Sequence, residues 1–197
     1  MTVRILPVCT GNICRSPMAM QLLRLQLDPQ QFSLASAGVA AVEGAPMDPV
    51  SRLIAERLGV PDAGEHVARQ LTRHMVAEAD LVLALTLEHR RQIVELRPAA
   101  AKYTYTLREF ARIVDEVPDA EFAAVVAEAK QPVHAALKAV AAHRGMLPPA
   151  APSTLDVVDP YGRSARVHER AAAEVAPAVN SIARFFARSV SAFTPES

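Results

Sequence analysis

Unbroken apolar runs alternate with helical periodicities along the first half of the chain. Val3-Arg4-Ile5-Leu6-Pro7-Val8 is apolar and β-branched rather than alternating, the pattern of a strand buried on both faces of a parallel sheet. Ser16 to Leu27 places Met18, Leu22 and Leu25 near helical spacing, with Ser16 as N-cap, Pro17 at the first helical position and Asp28-Pro29 as the stop. Phe32 to Ala37 reads as a second short strand closed by Gly38, and Val39 to Asp48 as a loop. Asp48-Pro49 opens a helix running to about Leu58, and Thr72 caps a short one ending at Glu78. Ala79 to Leu85 is a third strand, Leu87 to Leu96 a helix stopped by Pro98, and Lys102 to Leu107 a fourth strand. Strands alternating with helices predict an α/β fold in three layers, with a four-stranded parallel doubly wound sheet and helices on both faces. A ligand of such a sheet belongs beyond the carboxyl ends of the strands, at a topological switch point.

The later part of the chain is helical. Asp119 to His143 is alanine-rich, and Phe122, Val126, Ala129, Val133, Leu137 and Val140 recur at helical spacing, with Pro132 placed to kink or split the run. Pro148-Pro149-Ala150-Ala151-Pro152 reads as a stiff linker. Ser164 to Phe193 forms a final helix with Val167, Ala171, Val175, Ile182, Phe186 and Val190 on its apolar face, interrupted by Pro177. The expected organisation is one domain over residues 1–197 with a helical insertion at about 115–153, packed on the core as an elaboration rather than serving as a lid.

Composition narrows the class. Hydrophobic residues make up 51% of the chain, and Lys+Arg and Asp+Glu balance at 21 each. No global field recruits nucleic acid or a membrane surface, so any preference for anions is local. The two cysteines, Cys9 and Cys14, offer no disulfide scaffold. No signal peptide is evident before the first strand, and no apolar run is long enough to span a bilayer. A cytoplasmic location is expected. Metal-ligand spacings and glycine-rich nucleotide motifs are not evident, so neither a metal nor a cofactor is expected.

The chemistry begins at the end of the first strand. Cys9 is followed by Thr10-Gly11-Asn12-Ile13-Cys14 and then Arg15, after which Ser16-Pro17 opens a helix. Successive backbone N–H groups can curl around an oxyanion there, and the helix dipole favours negative charge. Arg15 adds a planar fork for two oxygens of a phosphate or arsenate. The same field favours the Cys9 thiolate, so a nucleophile and its anionic target are placed together.

The string Val8-Cys9-Thr10-Gly11-Asn12-Ile13-Cys14-Arg15-Ser16-Pro17-Met18-Ala19 resembles the signature of the low-molecular-weight protein tyrosine phosphatases, in its bacterial form. Ser36-Ala37-Gly38, His66-Val67-Ala68-Arg69-Gln70, Leu107-Arg108-Glu109-Phe110 and Asp159-Pro160-Tyr161 with Arg163-Ser164 are similar to further motifs of that family. The resemblance implies a phosphotyrosine protein phosphatase I-like fold and hydrolysis of aryl phosphate monoesters through a phosphocysteine on Cys9. It implies that Arg15 and the amides of Thr10, Gly11, Asn12, Ile13 and Cys14 hold the phosphoryl oxygens, while Ser16 donates to the sulfur. Asp159, made stiff by Pro160, is the implied general acid and base, and Tyr161 the wall against the substrate ring. Ser36 and His66 are implied braces of the loop, His66 through Asn12. Cys14 is the implied partner of Cys9 in a reversible disulfide. The implied partners are tyrosine-phosphorylated proteins, a bacterial tyrosine kinase or a polysaccharide-export protein among them, with phosphate or another oxyanion in the site.

Two departures from the family pattern stand out. The loop around Val42 carries no aromatic residue, and Leu85-Thr86 stands where a carboxylate is usual. His74, His89, His134, His143 and His168 read as surface or satisfied core residues, and Asp156 as a neighbour of Asp159 without its proline. Two alternatives stay open. One is an arsenate reductase coupled to a small thiol, the thioredoxin-coupled kind needing cysteines that this chain lacks. The other is a non-catalytic anion-binding or adaptor protein, against which the joint presence of Cys9, Arg15 and Asp159 argues.

Overall fold

In a computed structural model describing residues 2–127 and 129–191, Val3–Cys9 forms the central strand β1. The parallel sheet is completed by β2 (Phe32–Leu34), β3 (Ala37–Gly38), β4 (Leu81–Ala84) and β5 (Thr104–Thr106). Its order is β2-β1-β4-β5, with β3 also on β1. The chain runs from β1 to one side and returns to the other, so the switch point lies at the carboxyl end of β1, where Cys9 sits.

The α/β class and the parallel sheet agree with expectation, but the expected second strand is two strands. Register explains the break. Val3 pairs with Phe32, Ile5 with Leu34 and Val8 with Ala37, one unbroken offset. Val3 donates to Gln31, Ile5 accepts from Ala35 and Cys9 accepts from Val39, so the odd residues of β1 bond toward this side. Pro7 shares that side and has no N–H to give, and the ladder lapses opposite it.

β1 also divides the core. Val3 and Ile5 face one apolar cluster, Leu6 and Val8 the other. The first holds Leu23 of α1 (Arg15–Gln26), Ile54 of α2 (Pro49–Arg57) and Phe110 of α5 (Leu107–Glu116). The second holds Val76 of α3 (Arg73–Glu78) and Ile93 of α4 (Leu87–Leu96). Helices therefore cover both faces, as a parallel sheet requires.

The alanine-rich run splits into α6 (Asp119–Ala127) and α7 (Pro132–His143), with Pro132 at the first turn of α7, where a missing N–H costs nothing. Phe122, Val126, Val133 and Val140 all enter the first cluster. Arg144, just after α7, latches this segment to the sheet edge: it donates to Glu109 at 3.0 Å and to the Thr104 carbonyl at 2.8 Å. A short helix, α8 (Pro152–Leu155), starts at the last residue of the expected linker. The last helix, α9 (Ala165–Ser191), runs through Pro177 without the expected interruption. Pro177 and Ala173, whose carbonyl loses its partner, are both on the exposed face, where water replaces the bond. Phe193 lies outside the described residues, as does the side chain of Val190. Among the described residues no helix is long and apolar enough to cross a membrane.

Candidate active site

Every carbonyl from Cys9 to Cys14 is held from outside the loop that follows β1. Cys9, Thr10 and Gly11 accept from the amides of Val39, Ala40 and Val42 at 2.9, 3.0 and 3.0 Å. Asn12 accepts from His66 Nε2 at 2.6 Å, Ile13 from the Asp48 amide at 2.8 Å and Cys14 from the Met18 amide at 3.3 Å. With the carbonyls pulled outward the N–H groups turn inward, and among the described residues none from Gly11 to Arg15 donates to a protein acceptor. That is a cradle for an anion.

Asn12 is the corner of the loop. Its φ of 56° is the one positive value among described non-glycine residues, a conformation that asparagine tolerates. Its fully buried amide donates to Ser16 and to Ser36, each at 2.9 Å, and accepts from the Arg69 amide at 2.9 Å. Burial holds His66 below the ordinary histidine range, against the opposing pull of its bond to Asn12. The ring is therefore neutral and its Nε2–H donates to the Asn12 carbonyl. The structure brings Ser36 and His66 to the same corner.

Cys9 Sγ lies 3.0 Å from Ser16 Oγ, and both are buried. This corrects the expectation for Ser16. Helix α1 begins at Arg15 with Cys14 in the N-cap position, because the Ser16 hydroxyl is taken up by Cys9, Asn12 and the Ala37 carbonyl. The amides of the first turn, which have no helical acceptor, thus open onto the cradle.

Arg15 is buried, and its charge needs a partner there. Nη1 donates to the Val157 carbonyl at 3.2 Å, and Nη2 pairs with Asp159 Oδ2 at 2.9 Å. Its Nε is buried without a protein partner, so the guanidinium keeps a donor in reserve. The segment bearing Asp159 is pinned at two points. The Val157 amide donates to Leu85 at the end of β4, and the Val158 amide to Glu174 of α9. Asp159 itself is half exposed and accepts from the Tyr161 amide at 3.1 Å. Asp156 points elsewhere: it accepts from the Leu87 amide at 2.7 Å and, with Thr86, caps α4. Ile13, Ala40, Val42 and Tyr161 form an apolar wall around the cleft that Cys9, Arg15 and Asp159 also line.

His89 is the residue that sequence reasoning missed. Its Nε2 is hydrogen-bonded to Thr10 Oγ1 at 2.8 Å, and its buried Nδ1 has no protein partner. Burial, reinforced by the charge of Arg15, pushes its pKa down to about 4. The sequence carries part of a signal: Thr86, two residues beyond β4, is a helix cap that sets His89 in the first turn of the following helix, but nothing in the sequence brings that turn to Thr10. Both cysteines are free and buried, and burial pushes the Cys14 thiol up to about 12, against a hydrogen bond with Ser51.

The sequence pattern described as low molecular weight phosphotyrosine protein phosphatase matches residues 4–145. A probable low molecular weight protein-tyrosine-phosphatase, EpsP, of Ralstonia nicotianae is 42% identical over 105 residues, covering 53% of this chain and 70% of that one. A protein-arginine-phosphatase of Geobacillus stearothermophilus is 41% identical over 110 residues, covering 56% and 72%. Among solved structures, the YwlE arginine phosphatase of Geobacillus stearothermophilus superposes with a TM-score of 0.71 at 27% identity, over 99% of both chains.

Proposed function

This chain belongs to the low molecular weight phosphotyrosine protein phosphatase family, and from that premise we propose that it hydrolyses phosphotyrosine in proteins through a phosphocysteine on Cys9. The observation that carries the reading is the inward-facing amide cradle with Cys9 Sγ and the Arg15 fork in it and Asp159 beside that fork. Cys9 Sγ attacks phosphorus in line as the phenolate leaves, and Asp159 in its acid form gives that oxygen its proton. Arg15 and the amides of Gly11 to Arg15 hold the equatorial oxygens as charge shifts among them. Ser16 donates to the sulfur, which makes it a better leaving group when water attacks phosphorus. Asp159 then takes the proton of that water.

The wall of Ile13, Ala40, Val42 and Tyr161 favours an aromatic ring over a phosphorylated guanidinium. Of the residues lining the cleft, Asp159 is the one carboxylate, and it is already paired with Arg15. Cys14 protects Cys9 from over-oxidation: when a peroxide converts Cys9 to a sulfenic acid, Cys14 Sγ attacks that sulfur, a disulfide forms and water leaves.

The test is turnover of p-nitrophenyl phosphate, a phosphotyrosine peptide and phosphoarginine by the purified protein, with arsenate plus a small thiol as a separate arm. Aryl phosphate hydrolysis abolished by Cys9→Ser, with Asp159→Ala lowering kcat about 10²- to 10⁴-fold, is expected. Full activity in Asp159→Ala overturns the acid assignment. Faster turnover of phosphoarginine overturns the substrate, and arsenite production without phosphate release overturns the reaction class.

A further inference from the structure

Next to the cradle, a second group of reactive side chains converges from three distant elements, sharing Cys14 with the cleft. Cys14 stands at the N-cap position of α1, Asp48 at that of α2, and His168 in the first turn of α9. Their ligand atoms (Sγ, a carboxylate oxygen and a ring nitrogen) all lie within 4.8 Å of one another. Cys14 and His168 are 4% and 2% exposed. No step of the proposed hydrolysis uses Asp48 or His168, and sequence spacing gave no hint of the group.

The geometry points to a zinc-binding site formed by Cys14, Asp48 and His168. The donor set is a thiol, an imidazole and a carboxylate, the three kinds of ligand that zinc takes. His168 Nδ1 and Asp48 Oδ1 are 3.6 Å apart, close to the roughly 3.4 Å spanned by two light-atom ligands of one tetrahedral zinc. Ser51 Oγ sits 2.9 Å from His168 Nδ1, so its hydroxyl, or a water in its place, suits the fourth position. Asp48 Oδ1 accepts from the Val50 and Ser51 amides at 3.0 and 3.1 Å. Those bonds orient the carboxylate as outer partners of a metal ligand do. On binding, the Cys14 S–H proton leaves to solvent, a Zn–S bond forms and no electron is transferred. Zinc and the Cys9–Cys14 disulfide would then compete for one sulfur. The site itself does not depend on the reading of the cradle as a phosphatase centre.

The experiment uses the full-length Cys9→Ser protein, in which Cys14 is the remaining thiol of the chain's two. Titration with Co²⁺ is expected to saturate at one equivalent with a thiolate-to-cobalt charge-transfer band that Zn²⁺ bleaches. The band is expected to vanish in Cys9→Ser/Cys14→Ser and to need at least tenfold more metal in Cys9→Ser/His168→Asn. X-ray absorption of the zinc-loaded Cys9→Ser protein, which needs no change at the buried histidine, is expected to give one sulfur and at least one imidazole. A zinc shell without sulfur or without imidazole, an absent band, or equal affinity in a folded His168→Asn variant overturns the site.

Discussion

His89 lies under the cradle, hydrogen-bonded to Thr10, with its ring kept neutral by burial and by Arg15. Its pKa falls from 6.5 to about 4 on folding, so between those values the unfolded chain binds the extra proton. Stability contributed by this group is complete above pH 6.5 and is lost as the pH falls toward 4. At the full shift the loss is about 3 kcal/mol. His66, lowered in the same direction, adds to it. Urea midpoints at pH 7 and pH 4.5 are expected to differ less in His89→Gln than in the unaltered protein, and an equal difference in both refutes the assignment. At this scale Cys9, Arg15 and the Asn12 corner are legible because thiol, arginine and turn residue are adjacent in sequence. His89 is not, since only the pairing of β1 with β4 carries the start of α4 to Thr10.

Among the elements, β3 shows how closely backbone approaches backbone here. A Cβ on Gly38 would stand 2.3 Å from the Thr10 carbonyl oxygen and 3.0 Å from the Asn12 amide nitrogen. Both belong to the cradle, so neither can yield without turning an N–H away from the anion. Gly38→Ala is expected to cost roughly 3 kcal/mol, the upper end for overpacking, and to weaken binding of inorganic phosphate. Calorimetry and phosphate titration check both; a stable variant with unchanged phosphate affinity contradicts the picture. The sequence shows Gly38 closing a strand, but not that the strand breaks opposite Pro7, which depends on the side of β1 that this residue faces. Pro177 teaches the same limit. A proline in a helical run reads as a stop, and only its exposed position in α9 makes it tolerable.

At the scale of the molecule, residues far apart in sequence meet at the carboxyl end of β1 because the sheet reverses its winding there. The segment carrying Asp159 returns after the whole α6–α7 excursion, and it is fixed between Leu85 and Glu174 rather than left to wander. Alternating patterns were enough to read the layers and the switch point. The meeting of α9 with the N-cap of α2 was not readable, since helical periodicity says which face is apolar and not what that face meets. Arg15 meanwhile holds Asp159 through the very fork offered to a phosphoryl group. A carboxylate on a short tether therefore contests that fork with every free anion in solution. Removing it in Asp159→Asn is expected to tighten inorganic phosphate severalfold, within the few tenths to about 1 kcal/mol that a half-exposed pair is worth, even as kcat falls. An unchanged phosphate affinity by competitive inhibition rules the contest out. Under the proposed mechanism, the carboxyl assigned to protonate the departing phenolate would also help to evict the phosphate, and inhibition by that product would be weakened.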